Sequence, residues 1–468
     1  MNSIKKNFLY NAFYNVLILI LPFITTPYIS RIMGAEKIGI YSYAYSIASY
    51  FGLFILLGLN NYGNRTIAGV KDNKENLSRT FCSIYVMQLL MAILLLVIYI
   101  IYVIFLSENK IMASIQTIYL VSVAFDINWF FFGMEMFKMT VTRNTVIKIL
   151  NLICIFIFVK TANDIYVYGL LMVLGMLISQ LMLWPFVPKY VKIKRVTFSE
   201  IKNHLIPNLT LFIPVIAISL YTIMDKVMLG ALSTMTEVGY YESSNKLTSI
   251  PAMAITSLGT VMLPRMSNLI ANGKKKEAMK YIQKSLIISV LLSSSMAFGL
   301  SSVSKEFVPL FYGQGFNKCA DIITILVLSS IFISWANVIR TQYLIPNKKD
   351  KIYIVSVFLG AIVNIVINLL LIPYFQALGA SIGTLCAEFS VCAYQTYMVR
   401  NEIKVWRYFK QSLPLLISGV IMYIGVVNVP FMSSNLITLI IKILVGVFIF
   451  LFFVLLYYKV GLKNILRN

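Results

Sequence analysis

The sequence predicts an all-α polytopic membrane protein with fourteen transmembrane helices: two six-helix lobes followed by two further helices. Three observations predict it. Fourteen apolar runs have spanning length, positive charge collects in every second connection between them, and the first half of the chain is weakly duplicated in the second.

In hydrocarbon every backbone N–H and C=O must be satisfied within its own segment, so a run of about 20 apolar residues is read as a spanning helix. The spans are 8–30, 38–60, 80–106, 112–134, 143–160, 165–188, 207–229, 238–263, 283–304, 319–344, 352–372, 377–399, 412–430 and 433–458. Composition agrees: 59% of residues are apolar and 12% charged, about half the charged share of a soluble domain. Lys5 and Lys6 precede a first helix long enough to span, without a small-residue cleavage site, so no cleavable signal peptide is expected.

Lys and Arg sort by side. The N-terminus, 60–80, 135–148, 189–206, 264–284, 340–351, 400–411 and the C-terminal tail hold 31 of the 40. The other nine are Arg31, Lys37, Lys110, Lys160, Lys226, Lys246, Lys305, Lys318 and Lys442. Positive residues near span ends remain cytoplasmic, which places both termini in the cytoplasm of a bacterial inner membrane. The net charge of +23 has the same origin. Basic loops of this kind face anionic lipid headgroups, so a nucleic-acid partner is not expected.

Enzyme chemistry finds little support. Five cysteines (Cys82, Cys154, Cys319, Cys386, Cys392) form no CxxC pair, and His204 is the single histidine. A metal cluster or histidine-based triad is thereby excluded, and neither a Walker A motif nor a GxGxxG after a strand occurs. No cofactor is expected.

The duplication keeps its order along the chain. Ile38-Gly39-Ile40-Tyr41 matches Val238-Gly239-Tyr240-Tyr241 at an offset of 200 residues, and Arg65 matches Arg265 at the same offset. Met33-Gly34-Ala35 resembles Leu229-Gly230-Ala231, Trp129 corresponds to Trp335, and Asn151 to Asn364. Spans 1–6 (1–188) and 7–12 (207–400) therefore read as two copies joined by a basic linker, 189–206, with 401–468 appended. An even number of spans gives both copies one orientation, a transporter architecture with substrate between the halves. Coincidence among apolar helices is the alternative.

An ionisable group at mid-bilayer costs about 2.5–3.5 kcal/mol on insertion scales, so one that is kept should face a cavity or a partner. Asp126, Asp225, Lys226, Lys246, Glu388 and Lys442 lie inside spans. Glu242 and Lys246 share a helical face and could neutralise each other, whereas Lys226 can snorkel. Glu388, without a local partner in sequence, is the leading candidate for proton or ion coupling, with Asp126 and Asp225 beside it. Arg31, Arg65 and Arg340 close spans; a guanidinium fork suits phosphate oxygens, while Arg65 and Arg340 also satisfy the positive-inside rule. Tyr41 and Tyr45 share a face of span 2 and offer rings and hydroxyls to a sugar, or else form an interfacial belt. Pro22 and Pro27 in span 1 and Pro214 in span 7 interrupt corresponding helices.

Several blocks together resemble the Wzx-type oligosaccharide-lipid flippases, a polysaccharide-transporter group of the multidrug/oligosaccharidyl-lipid/polysaccharide exporter superfamily. They are Pro27-Tyr28-Ile29-Ser30-Arg31-Ile32-Met33-Gly34; Asp126-Ile127-Asn128-Trp129-Phe130-Phe131-Phe132-Gly133-Met134-Glu135; Asp225-Lys226-Val227-Met228-Leu229-Gly230; Leu263-Pro264-Arg265; and Asn364, Asn368 and Ile372-Pro373 before Leu378-Gly379-Ala380. The likeness covers nearly all of residues 1–400. It implies two lobes in a V-shaped exporter fold, alternating access, and a cationic central cavity. The implied substrate is an undecaprenyl-diphosphate-linked oligosaccharide, carried from the inner to the outer leaflet for O-antigen or capsule assembly. The implied partners are this substrate, membrane lipids, a polysaccharide polymerase and a chain-length regulator. On this reading Arg31, Arg65, Lys246 and Arg340 attract the diphosphate and Tyr41 and Tyr45 contact glycan. Asp126, Asp225 or Glu388 then couples ions or protons. Ion-coupled multidrug exporters of the same superfamily are the rival, but they resemble each other in twelve spans and an acid in the first helix, and 8–30 contains neither Asp nor Glu. A polytopic polymerase or glycosyltransferase would need a large outer loop or an acid/base cluster; 305–318 offers Lys305, Glu306 and Lys318 alone as charges.

Overall fold

The computed structural model describes residues 3–459, with side chains from Leu21 onward except at residue 254. The side chains of Lys5 and Lys6 and the tail with Lys463 and Arg467 lie outside the described residues. Every described element is helical. In chain order they are α1 (Ser3–Leu56), α2 (Leu59–Val70), α3 (Lys74–Phe105), α4 (Lys110–Ala124), α5 (Asn128–Gly133), α6 (Phe137–Phe158), α7 (Ile165–Leu181) and α8 (Phe198–Thr222). Then follow α9 (Met224–Leu232), α10 (Met235–Ala271), α11 (Lys275–Tyr312), α12 (Lys318–Leu326), α13 (Ser329–Ile339), α14 (Asp350–Val399), α15 (Val405–Val427) and α16 (Asn435–Tyr457).

Among the described residues, twelve helical stretches are long and apolar enough to cross a membrane. The sequence reading counts fourteen, and the difference lies at two stretches of 50 residues, Leu21–Val70 and Asp350–Val399. Fifty helical residues would extend roughly 75 Å, more than twice the hydrocarbon thickness. Both stretches are broken where the sequence ends one span and begins another. In α1 the break is Gly34, at φ 68° and ψ 174°; only glycine adopts that conformation without Cβ strain. In α14 it is Gln376, at φ 54° and ψ −128°.

The chain forms two compact units, Met1–Val227 and Met228–Asn468. In the first, α8 packs on α2 and α3. The segment before it is fastened by Lys194 to Glu75 at 2.6 Å, and the first turn of α8 by an ion pair between Arg79 and Glu200. Glu200 also closes a capping box with Thr197, so helix begins inside the stretch expected as a linker. Unit 1 is centred on aromatic packing: Trp129, Phe130 and Phe131 are completely buried, and Phe81 stacks on Trp129 at 5.6 Å. Gly63 on α2 makes room for the indole, since a Cβ there would lie 2.8 Å from it. The aromatic part of the Asp126–Glu135 block is thus a core.

In the second unit α15 and α16 pack on α11. Lys442 of α16 meets Glu306 of α11 at 2.7 Å, both side chains nearly buried. The opposite face of α16 exposes Ile440, Leu444, Val447, Phe448 and Leu451. A continuous apolar stripe of this kind is stable against acyl chains.

Candidate functional site

Expected span 4 is not one helix. α4 ends at Ala124, and α5 starts four residues later. Asp126 sits in the gap, and its carboxylate accepts from the Asn128 backbone N–H (2.9 Å) and from Asn128 Nδ2 (2.7 Å). A carboxylate that takes a local backbone N–H competes with the helix ladder, which explains the interruption. Gln88 of α3 donates to the Asp126 carbonyl at 2.9 Å and accepts from Trp129 Nε1 at 3.0 Å, so freed backbone groups are satisfied.

Beyond Asn128 stands a buried guanidinium. Arg143 on α6 is 5% exposed. It donates to Asn128 Oδ1 at 2.9 Å and to Asn144 Oδ1 at 2.6 Å, and it reaches Gln180 Oε1 of α7 at 3.4 Å. Asp126 and Arg143 thus belong to one polar cluster through Asn128. The sequence reading counts Arg143 with the cytoplasmic loop charges and does not single it out. Gln88 and Gln180, polar residues inside expected spans 3 and 6, are the signal that could have found the cluster, and it went unused.

The other unit 1 candidates lie apart from it. Arg31 is exposed, one turn before the Gly34 break, and Arg65 is exposed on α2. Roughly 30 Å of helix separates them, so they are not brought together. Tyr41 is buried; its ring lies 6.0 Å from Tyr45 and 5.0 Å from Tyr168, and Tyr45 packs edge-on against Tyr119 at 5.2 Å. Asp225 is 1% exposed, in the first turn of α9, where an acid is favoured by the helix dipole. It acts electrostatically on Tyr50, whose hydroxyl donates to the Ser219 carbonyl at 2.9 Å. The break at Ile223 between α8 and α9, inside expected span 7, sets this placement.

In unit 2, Lys246 is exposed on α10, 3.4 Å from Glu242, one turn earlier. Arg340 opens a π-helical turn, Arg340–Leu344, that ends the α13 span. It donates to Asn337 Oδ1 at 2.7 Å and lies 5.3 Å from the Tyr353 ring centre. Its charge reaches Glu388, half-buried on α14. Arg340 and Glu388 therefore lie within electrostatic reach of each other. Asn337 in turn touches α10 at Thr256, so roughly 15–20 Å of α10 lies between Lys246 and the Arg340 level. Away from these, Glu237 at the start of α10 takes Lys318 at 2.6 Å and the Ala377 N–H at 3.1 Å, and Lys318 also binds Gln376 Oε1 at 2.7 Å. This clasp holds the break in α14, and nothing in the one-dimensional pattern pointed to it. Among the described residues no group of three His, Cys, Asp or Glu could hold a metal ion.

Comparison with known proteins bears on the whole chain. Its sequence is 24% identical over 406 residues to a candidate O-antigen transporter of Escherichia coli (strain K12), across 86% of this chain and 97% of that one. It is 22% identical over 393 residues to the capsular polysaccharide biosynthesis protein CapF of Staphylococcus aureus, across 82% and 96%. Its fold is similar to that of the lipid II flippase MurJ in an inward closed conformation, with a TM-score of 0.80 and 16% identity over 97% of this chain and 99% of that one. The MatE family matches residues 211–370. The polysaccharide biosynthesis protein family matches residues 4–270, more than half of the sequence, and the chain belongs to that family, within the exporter superfamily that its motifs resemble.

Proposed function

We propose that the protein is a flippase that moves undecaprenyl-diphosphate-linked oligosaccharide units from the inner to the outer leaflet of the cytoplasmic membrane, for O-antigen or capsule assembly. The observation that carries this reading is the family match over residues 4–270, joined to a fold similar along 97% of the chain to that of a lipid II flippase. A diphosphate-sugar head cannot enter hydrocarbon unaided, whereas a polyprenyl tail can stay in it. Transport then needs polar and cationic groups for the head, made accessible from one side and then the other.

On this reading Arg31 and Arg65 serve the head at different depths, as do Lys246 on α10 and Arg340 after α13. Tyr45 offers its ring to glycan, and buried Tyr41 supports it. Asp126, through Asn128 and Arg143, and Glu388, beside Arg340, are the coupling candidates, with Asp225 set at the head of α9. A proton shared between Glu388 and its surroundings would change how strongly Arg340 holds an anion, which links ion movement to substrate release. The termini and basic loops lie on the cytoplasmic side.

The test is reconstitution of purified protein in liposomes with labelled undecaprenyl-diphosphate oligosaccharide, scoring the fraction of glycan reached by an impermeant glycosidase. Wild type is expected to expose inner-leaflet glycan within minutes. Arg31→Ala combined with Lys246→Ala is expected to slow this at least tenfold while the protein stays folded. Equal rates in protein-free liposomes would overturn the flippase reading, and an unaffected double variant would remove the cationic assignment.

A further inference from the structure

We propose that unit 2 binds an anionic glycerophospholipid of the surrounding bilayer, one acyl chain in the cavity between α13, α14 and α15 and the phosphate at Arg400, Lys404 and Arg407. This inference does not depend on what the protein transports.

The cavity measures about 740 Å³, within the range of mostly apolar small-molecule pockets. Its walls are Phe332 and Trp335 of α13, Phe389 and Thr396 of α14, and Phe409 and Leu416 of α15. Phe332 packs edge-on against Phe389 at 5.2 Å and Trp335 against Phe409 at 6.4 Å, so aromatic contacts tie α13 to both flanking helices. Trp335 Nε1 donates to Thr396 Oγ1 at 3.1 Å, which satisfies its indole donor. What remains facing the cavity is hydrocarbon and ring surface, unsuited to a free anion but suited to a chain.

The mouth has the opposite chemistry. Arg400, Lys404 and Arg407 all line it and are all exposed. The Arg400 guanidinium stacks 3.5 Å from the Tyr397 ring centre and donates to the Tyr397 carbonyl at 3.1 Å. That leaves a preoriented fork with further N–H donors for phosphate. Glu402 is the sole acid between residues 400 and 411, and it is engaged by Lys349 and Tyr343. It therefore does not cancel the cations at the rim. Trp406 stands beside them with 76% of its surface exposed, the position of an interfacial aromatic at headgroup level. An apolar shaft with a triply basic rim at a helix end matches a lipid of negative head and long chain; a zwitterionic lipid would leave the rim charges without a net counter-charge.

The experiment is native mass spectrometry of the full chain, delipidated in detergent and offered dioleoylphosphatidylglycerol or dioleoylphosphatidylcholine at equal mole fraction. One phosphatidylglycerol is expected to be retained at collision energies that strip phosphatidylcholine, with at least fivefold preference. R400Q/K404Q/R407Q is expected to lower retention to the phosphatidylcholine level. Ala393→Trp, which fills the cavity from α14, is expected to lower retention with the rim intact. K274Q/K275Q/K276Q removes three cations elsewhere and should leave retention unchanged. Equal retention of the two lipids would overturn the proposal, as would wild-type retention in both the rim and the cavity variants. If undecaprenyl diphosphate displaces phosphatidylglycerol at a tenth of its concentration, the cavity belongs to the prenyl lipid and the occupant assigned here is wrong.

Discussion

Arg143 shows how one residue can be misjudged by its position along the chain. In sequence it belongs with the basic residues between two spans; in the structure it is buried and shared among Asn128, Asn144 and Gln180. The α4–α5 gap draws Asn128 inward, and the guanidinium supplies the donors its amide oxygen needs. Arg143→Ala is expected to cost about 1–3 kcal/mol by leaving buried acceptors unmatched, seen as a lower thermal midpoint in detergent. Arg143→Lys should recover part of the midpoint, because an ammonium restores charge without the planar fork; a variant as stable as wild type would show that water satisfies the cluster. Asp126, by contrast, was legible as a candidate from its type and depth alone, although its capping of the helix gap was not. Tyr41 was also legible as a residue of note, but its burial against Tyr168 depends on a partner more than a hundred residues away.

At the scale of elements, breaks and fastenings decide what hydropathy cannot. The junctions at Gly34 and Gln376 fall between expected spans, so an apolar run interrupted by a few small or polar residues was a faithful guide to them. The interruptions at Phe125–Ile127 and Ile223 fall inside apolar runs, where Asp126 and Asp225 marked a polar site but not a break, because a helix can be broken by hydrogen bonding without ending an apolar run. The appended pair is locked by Lys442 and Glu306. Lys442→Ala is expected to destabilise by about 3–5 kcal/mol, since it strands a buried carboxylate. Lys442→Met with Glu306→Leu should come close to wild-type stability, and a thermal melt of both variants separates a structural pair from a transport residue. At the other end of this unit, Lys349 and Tyr343 hold the Glu402 carboxyl below its ordinary range by hydrogen bonds, aided by the Lys349 charge. A depressed carboxylate pKa contributes stability that is complete above the unfolded value of about 4.3 and is lost as pH falls through the lower folded value. Glu402→Gln should therefore flatten the acid side of the plot of thermal midpoint against pH, leaving the slope above pH 6 unchanged.

For the whole molecule, the charge count makes a prediction that needs no coordinates. A phosphatase reporter active only outside the cytoplasm should be silent when fused after Gly273 and active after Gly313, because 264–284 carries six cations and 305–318 two; the reverse pattern would invert the topology. The sequence by itself determined the all-helical membrane class, the positions of most spans, the family and the residue types to suspect. Hydropathy and charge act locally, against lipid and water, and each residue carries its own share of them. Tertiary structure alone decided which of the suspected groups meet. It set Arg340 within electrostatic reach of Glu388, tied Asp126 to Arg143 through Asn128, clasped Glu237 to Lys318 and the broken α14, and shaped an apolar cavity beneath three basic residues. Those pairings depend on how helices distant in sequence pack side by side, and no one-dimensional pattern of polarity encodes that register.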